Sequence, residues 1–312
     1  MSWTTQDMPD LTGRRAVVTG VTGGLGFHTA LELGRRGAEL VITARNPRKA
    51  EDTLARLRSE LPEAAIEVLS LDLAELRDVE RAAGELSERH DRVDLLVNNA
   101  GIMIPPKSTT ADGFELQMGT NHLGHFAFTA RLWPLLRASE ARVVTISSMA
   151  HTAAKGIDLR ALTPEGSPRR YRRWQTYGES KLANLIFAQE LHRRSVAAGA
   201  GAGVTSVAAH PGYAATELQQ TGLKMGNPLL GAGLFQISKV VGQSAAAGAL
   251  PTLRAATDPA LTGGEYVGPH ALGGMRGKPV LVGMTRWARD EQLARDLWAA
   301  SERATGLRFD VA

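Results

Sequence analysis

Short apolar runs alternate along the chain with longer segments whose apolar positions recur every three to four residues. The runs are R-A-V-V-T (15–19), E-L-V-I-T-A (39–44), I-E-V-L-S-L-D (66–72), V-D-L-L-V-N-N-A (93–100), R-V-V-T-I-S-S (142–148) and V-T-S-V-A-A-H (204–210). They are short and nearly continuous in hydrophobicity, which predicts strands buried on both faces. The segments 24–36, 47–60, 75–90, 113–137 and 177–195 carry helical spacing and are long enough to be crossover helices. Their alternation predicts an α/β fold, a doubly wound parallel sheet of about seven strands with helices on both faces. No internal repeat or low-complexity linker interrupts the chain, so a single domain is expected to span residues 1–312.

Three stretches depart from the rhythm. Residues 155–173, rich in Pro, Gly and Arg, read as an insertion before a helix. Residues 213–243 are Gly-rich and carry Leu229, Leu230, Leu234, Phe235 and Ile237, which predicts a mobile lid over an apolar substrate. A C-terminal helix is expected over 285–306, docking Trp287, Leu293, Leu297 and Trp298 and stopping at Gly306.

Composition narrows the chemistry. Among 312 residues, 36 Lys plus Arg against 32 Asp plus Glu give +4, too small an excess to indicate a nucleic-acid binder. With 0 Cys, disulfides, thiolate nucleophiles and Cys-ligated metals are excluded. The first ten residues carry neither a basic nor an apolar signal region, and no transmembrane run occurs, so a cytoplasmic, non-spanning protein is expected.

T-G-V-T-G-G-L-G (19–26) falls between the first predicted strand and helix, where free backbone N–H groups and the helix dipole attract phosphate. Gly20, Gly24 and Gly26 have dinucleotide-site spacing, although the strict G-x-G-x-x-G is absent, and a ligand-free tight turn is the competing reading. After the second strand, Ala44 and Arg45 replace the carboxylate that binds the NAD ribose. Arg45 suits a 2′-phosphate, so NADP(H) is expected in preference to NAD(H), which stays open as a second cofactor. Y-G-E-S-K (177–181) puts Tyr177 and Lys181 one helical turn apart. Burial raises a tyrosine pKa, and a nearby cation is the means of favouring tyrosinate.

T-G-x-x-x-G-x-G, N-N-A-G (98–101), N-H-L-G-H-F (121–126), I-S-S (146–148), Y-x-x-S-K and P-G-Y-A-A-T (211–216) follow one another in an order that resembles the short-chain dehydrogenase/reductase family over about residues 11–285. The long gap before Tyr177, R-R-Y-R-R-W (169–174) and G-G-E-Y-V-G-P (263–269) resemble its retinol dehydrogenase and protochlorophyllide reductase branch. The resemblance implies a Rossmann-type fold and a hydride transfer between a nicotinamide cofactor and a carbonyl or alcohol. Tyr177 is then the general acid/base, Lys181 its electrostatic partner and a ribose ligand, Ser148 the carbonyl-orienting group, and Asn121 the holder of a relay water. By the same resemblance Gly20, Thr22, Gly23, Gly24, Leu25 and Gly26 form the phosphate turn. Asp72 and Leu73 lie by the adenine, Asn99, Ala100 and Gly101 by the ribose, and Pro211, Gly212 and Thr216 by the nicotinamide.

His122, His125, His151 and His210 lack metal-site spacing, so structural roles and no metal are expected. R-R-Y-R-R-W interleaves basic and aromatic residues as single-strand binders do, but one short run favours a solvated loop or an acidic-surface contact over a nucleic-acid or membrane contact. A non-catalytic dinucleotide sensor is the rival function. Against it stands the set Asn121, Ser148, Tyr177 and Lys181, whose proton chemistry a sensor does not need. The sequence leaves homo-oligomerisation and the substrate's identity open.

Overall fold

The computed structural model describes residues 3–199, 203–213 and 243–311. Eight strands form one sheet: β1 (Arg15–Thr19), β2 (Glu39–Ala44), β3 (Ile66–Ser70), β4 (Leu95–Asn98), β5 (Arg142–Ile146), β6 (Thr205–Ala209), β7 (Tyr266–Ala271) and β8 (Arg276–Leu281). Their order is β3-β2-β1-β4-β5-β6-β7-β8. β1 to β7 are parallel, with Val18 opposite Val97, Val97 opposite Val144 and Val144 opposite Val207. The sheet has one strand more than expected. β8 runs antiparallel to β7 through a tight hairpin in which Leu272, Gly273 and Gly274 take positive φ, and it pairs Pro269 with Pro279. Its sequence, R-G-K-P-V-L, lacks the apolar run of a central strand, because an edge strand need not be buried on both faces and tolerates proline.

The helices are α1 (Gly24–Arg35), α2 (Pro47–Glu60), α3 (Leu76–Arg89), a longer run α4, α5 (Trp133–Ala138), α6 (Arg173–Ala197), α7 (Ala245–Thr257) and α8 (Glu291–Thr305). α4 passes from Leu116–Met118 through a π turn, Gly119–Leu123, into Gly124–Arg131. The single helix expected over 113–137 is therefore divided, by the π turn around Asn121 and by Pro134 in the first turn of α5. Alternate strand residues serve opposite cores. Ala16, Val18, Leu40, Ile42, Val97 and Val144 pack with α1 and α7, while Val17, Val41, Leu69, Leu96 and Val143 pack with α3 and α4. Burial on both faces is the reason the strands read as unbroken apolar runs.

α8 starts after Asp290, whose side chain accepts from the Leu293 N–H, and it ends at Gly306 in the left-handed conformation with φ 65. It seats Trp298 among aromatic rings, with centroids 4.8 Å from Phe309, 5.2 Å from Phe126 and 5.9 Å from Phe187. Trp298 is 2% exposed. Trp298→Ala is expected to lower unfolding free energy by about 3–5 kcal/mol, measured from the urea midpoint at constant m-value.

Candidate active site

The strand order reverses between β1 and β4, and the predicted site residues collect at the carboxyl ends of the strands around this point, where doubly wound sheets place ligands. Gly20, directly after β1, has φ 71, and a Cβ there would lie 2.7 Å from the Ala100 Cα. A Cβ on Gly26 would lie 2.3 Å from the Gly20 carbonyl, so α1 approaches the turn as only glycine permits. Gly23, at the N-cap, is extended and makes no side-chain cap, and Thr22 beside it is half-buried. The first amides of α1, from Gly24 and Leu25 onward, thus have no side-chain acceptor and fit an anionic diphosphate.

Asn99 locks this turn by donating from Nδ2 to the carbonyls of Thr19 at 2.7 Å and Gly20 at 3.1 Å. The Thr19 hydroxyl accepts from the Asn99 and Ala100 amides, each at 2.9 Å, and meets His125 Nε2 at 2.9 Å. His125 Nδ1 lies 3.0 Å from the Asn121 carbonyl. His125 is held neutral by burial, its pKa pushed down to about 4. His122 meets Ser301 at 2.8 Å, His151 the Ser148 carbonyl at 2.7 Å, and His210 accepts from the Gly212 amide at 3.2 Å. All four thus make local packing or backbone contacts.

A cleft of about 940 Å³ brings together Leu25, Asn99, Gly101, Ser148, Tyr177 and Lys181, with Pro211 and Gly212 on its rim. Two close approaches assemble it. Gly178 lets α6 press on the 3₁₀ turn Met149–Ala153, since a Cβ there would stand 2.8 Å from the Ala150 carbonyl. Gly101 leaves open the space between Asn121 Oδ1 and Lys181 Nζ, which a Cβ would approach to 3.1 Å and 3.4 Å. Ser148 caps the 3₁₀ turn by accepting from the Ala150 amide at 3.1 Å, and Ser147 donates to the Lys181 carbonyl at 2.7 Å.

Asn121 stands behind the cleft. Its Oδ1 accepts from the Ile102 amide at 2.8 Å, and its Nδ2 donates to the Ile102 carbonyl and to Ser180 Oγ, both at 3.0 Å. It clamps the loop after β4 to α6. A carbonyl has two lone pairs, so a relay water on the Asn121 carbonyl must share it with His125.

The electrostatics differ from the simple expectation that Lys181 lowers the Tyr177 pKa. Burial pushes the Tyr177 hydroxyl up to about 12, opposed by a smaller pull from its hydrogen bond with Ser148. Burial pushes Lys181 down to about 8. Nζ donates to the Ile146 carbonyl at 3.1 Å and stands 5.9 Å from the centre of the Tyr177 ring, so desolvation outweighs their mutual attraction.

At the outer end of the dinucleotide groove, Arg45 pairs loosely with Asp72 at 3.6 Å and keeps 70% of its side chain exposed. Leu73 is buried, its carbonyl packed where Gly124 would carry a Cβ. Thr216 lies outside the described residues, as does the segment expected to form a lid apart from its ends. Those ends meet, the Gln243 amide donating to the Tyr213 carbonyl at 3.0 Å.

Sequence reasoning missed the rim. Met103, Met149, Met275, Lys155, Arg172 and Trp174 all line the cleft. Trp174 precedes Tyr177 by three positions, a spacing that could have placed both on one face of α6. The basic-aromatic run is largely solvated, as expected, with Arg169, Arg170, Arg172 and Trp174 exposed, and Tyr171 makes it a strap. Tyr171 donates to the Pro105 carbonyl and accepts from Gln117 Nε2, each at 3.0 Å, because its phenol fills a half-buried position under the chain.

A phosphate-binding strand-to-helix turn joined in one cleft to Ser, Tyr and Lys defines a dinucleotide-dependent oxidoreductase. The family model for short chain dehydrogenases matches residues 14–157. The chain is 38% identical to human retinol dehydrogenase 13 over 95% of its own length and 85% of that protein. It is 40% identical to an uncharacterized protein of Mycobacterium paratuberculosis whose crystal structure superposes with a TM-score of 0.78, covering 99% of each chain. RhlG of Pseudomonas aeruginosa, solved as a complex with NADP, is 26% identical with a TM-score of 0.57 over 82% of this chain and 94% of that one. The chain belongs to the short-chain dehydrogenase/reductase family and is an NAD(P)-dependent oxidoreductase of the retinol dehydrogenase-like branch.

Because the Lys181 pKa falls from its ordinary value to about 8 on folding, the folded state binds fewer protons than the unfolded one between about 8 and the ordinary lysine value. The buried ammonium therefore costs stability in full below pH 8, and that cost is relieved as pH rises. Denaturant titrations of wild type and Lys181→Met at pH 7 and 9.5 are expected to show wild type gaining on the variant at the higher pH. A difference that does not change with pH would refute the buried charge.

Proposed function

We propose that the protein is an NADP(H)-dependent oxidoreductase that interconverts an apolar aldehyde or ketone and its alcohol, with Tyr177 as general acid and base. The observation that carries this reading is the convergence of Ser148, Tyr177 and Lys181 on a cleft shared with Leu25, Asn99 and Gly101. When bound, the nicotinamide donates or accepts the hydride. Gly20, Thr22, Gly23, Gly24, Leu25 and Gly26 hold the diphosphate, Asp72 and Leu73 the adenine side, and Asn99, Ala100, Gly101 and Lys181 the ribose. Pro211, Gly212 and Thr216 flank the carboxamide. A cytoplasmic location belongs to the same proposal.

Ser148 Oγ and the Tyr177 hydroxyl receive the substrate oxygen. Tyr177 keeps its proton across the physiological range, since burial holds its pKa near 12, and so stands ready as a donor. It gives that proton to the carbonyl oxygen as the carbon is reduced, and the Lys181 ammonium stabilises the phenolate left behind. In oxidation the same phenolate takes the alcohol proton. The titration of Tyr177 therefore favours reduction at neutral pH and favours oxidation as pH rises.

Tyr177→Phe is expected to lower kcat about 10²–10⁴-fold while leaving cofactor affinity largely intact, read from nicotinamide absorbance and a separate binding titration. Retention of more than about half the wild-type rate would exclude Tyr177 as the proton donor.

Cofactor choice rests on Arg45, exposed and only loosely held by Asp72, and is supported by the NADP complex of RhlG. Wild type is expected to bind NADPH about 10–150-fold more tightly than NADH, the equivalent of a charge-assisted contact, and Arg45→Ala to remove most of that ratio. Equal affinities in wild type, or equal weakening of both by the substitution, would assign Arg45 another role.

A further inference from the structure

The insertion of residues 155–173 supplies part of the cleft wall, and its charges are divided unevenly. Its carboxylate Asp158 is enclosed by Arg160 at 2.8 Å, Arg169 at 3.2 Å and Ser167 at 2.6 Å. Glu179, on the adjoining turn of α6, accepts from Gln175 at 2.9 Å and faces Arg169 at 3.7 Å. Glu115, below the strap, accepts the amides of Gln117 at 3.0 Å and Met118 at 2.8 Å. The acids near this end of the cleft are thus already engaged. Lys155 and Arg172 also line the cleft, both on its exposed rim, and among the described residues neither side chain has a hydrogen-bond or ion-pair partner. No Asp or Glu lines the cleft among the described residues.

The cleft's lining also includes the apolar Met103, Met149, Ala153 and Met275, beside the neutral polar Thr152 and Gln175. Trp174, 61% exposed and two positions after Arg172, also lines the cleft and offers a flat face to an aliphatic or planar body. A neutral hydrophobic substrate uses the methionines and the tryptophan but leaves both cations unused. An elongated carbonyl compound with an anionic group at its far end uses all of them.

Resting on the reading that the cleft turns over a carbonyl compound, we infer that its substrate is amphipathic: an apolar aldehyde or ketone carrying a carboxylate or phosphate, which Lys155 and Arg172 hold at the rim. The guanidinium of Arg172 can grip such an oxyanion with two parallel N–H groups, and Lys155 adds a point charge. Both cations are exposed, so water tempers these contacts and salt weakens them further. These residues then set specificity without touching the reacting atoms.

The test compares straight-chain aldehydes with ω-oxo carboxylic acids of the same length, at six, nine and twelve carbons, with NADPH and at low and high salt. At the best-fitting length the kcat/KM ratio of oxo acid to aldehyde is expected to be about 5–30 in wild type at low salt, as for two exposed charge contacts acting together. It is expected to shrink with salt and to fall to about 1–3 in Lys155→Gln/Arg172→Gln. ω-Phosphonate aldehydes of the same lengths distinguish a phosphate-bearing substrate from a carboxylate-bearing one. A wild-type ratio near 1 at every length for both anions overturns the inference, as does a ratio unchanged in the double variant. Turnover of the plain aldehydes tests the oxidoreductase reading by itself. Should no aldehyde be turned over, binding still decides the rim's role, with nonanedioate and 1-nonanol titrated against tryptophan emission and Trp174→Phe as the control. Salt-sensitive quenching by the dianion that disappears in the double variant supports the inference, and its absence in wild type overturns it.

Discussion

The buried hydroxyl of Thr19 fixes the geometry on which the whole site depends. His125 Nδ1 faces the Asn121 carbonyl, an acceptor, so Nδ1 carries the ring proton and Nε2 is left as an acceptor. The Thr19 hydroxyl then donates to Nε2, with the Val97 carbonyl at 3.3 Å as a longer second acceptor, and its two lone pairs receive the amides of Asn99 and Ala100. Every capacity of the group is used, in surroundings where Thr19 is 0% exposed and an unpaired polar atom is costly. One oxygen thereby sets the distance between the end of β1, the loop after β4 and the π turn of α4. The glycine turn, the 99–101 loop and Asn121 cannot shift independently. Protonation of His125 would put a second N–H opposite that hydroxyl, and burial, which holds its pKa near 4, guards against this.

Much of the fold was legible because β1, β2, β4, β5 and β6 are buried on both faces and so write continuous apolar runs into the sequence. β8 was not, since an edge strand with Pro279 and Gly277 has no such signature. The glycine turn, Ser148, Tyr177 and Lys181 were legible because close backbone approach and one-turn helical spacing demand particular residues at fixed intervals. The rim was not, because Lys155, Arg172 and Met275 reach the cleft from separate segments whose paths depend on tertiary contacts. Tyr171 illustrates the difference. In the sequence it is one aromatic in a basic run, and only folding beneath the strap pairs it with Pro105 and Gln117.

The same contrast applies to charge. Spacing alone makes Lys181 a partner that should acidify Tyr177, yet the magnitude of that effect depends on how far each group is removed from water. Both are buried deeply enough that each moves toward its neutral form. A pair arranged in this way holds a proton firmly on oxygen and an ammonium lightly on nitrogen, as the proposed proton transfer from Tyr177 requires.

The bonds of Gln243 have a consequence for how the edge of the sheet is held. Its amide donates to the Tyr213 carbonyl at 3.0 Å, and its side chain donates to the Pro211 carbonyl at 2.7 Å and accepts from the Gly277 amide at 3.2 Å. The Tyr213 amide, donating to the Met275 carbonyl at 2.7 Å, repeats the tie. The least buried strand of the sheet, β8, is thereby coupled through its hairpin to the residues that follow β6 at the edge of the cleft. A change in either one is passed to the other.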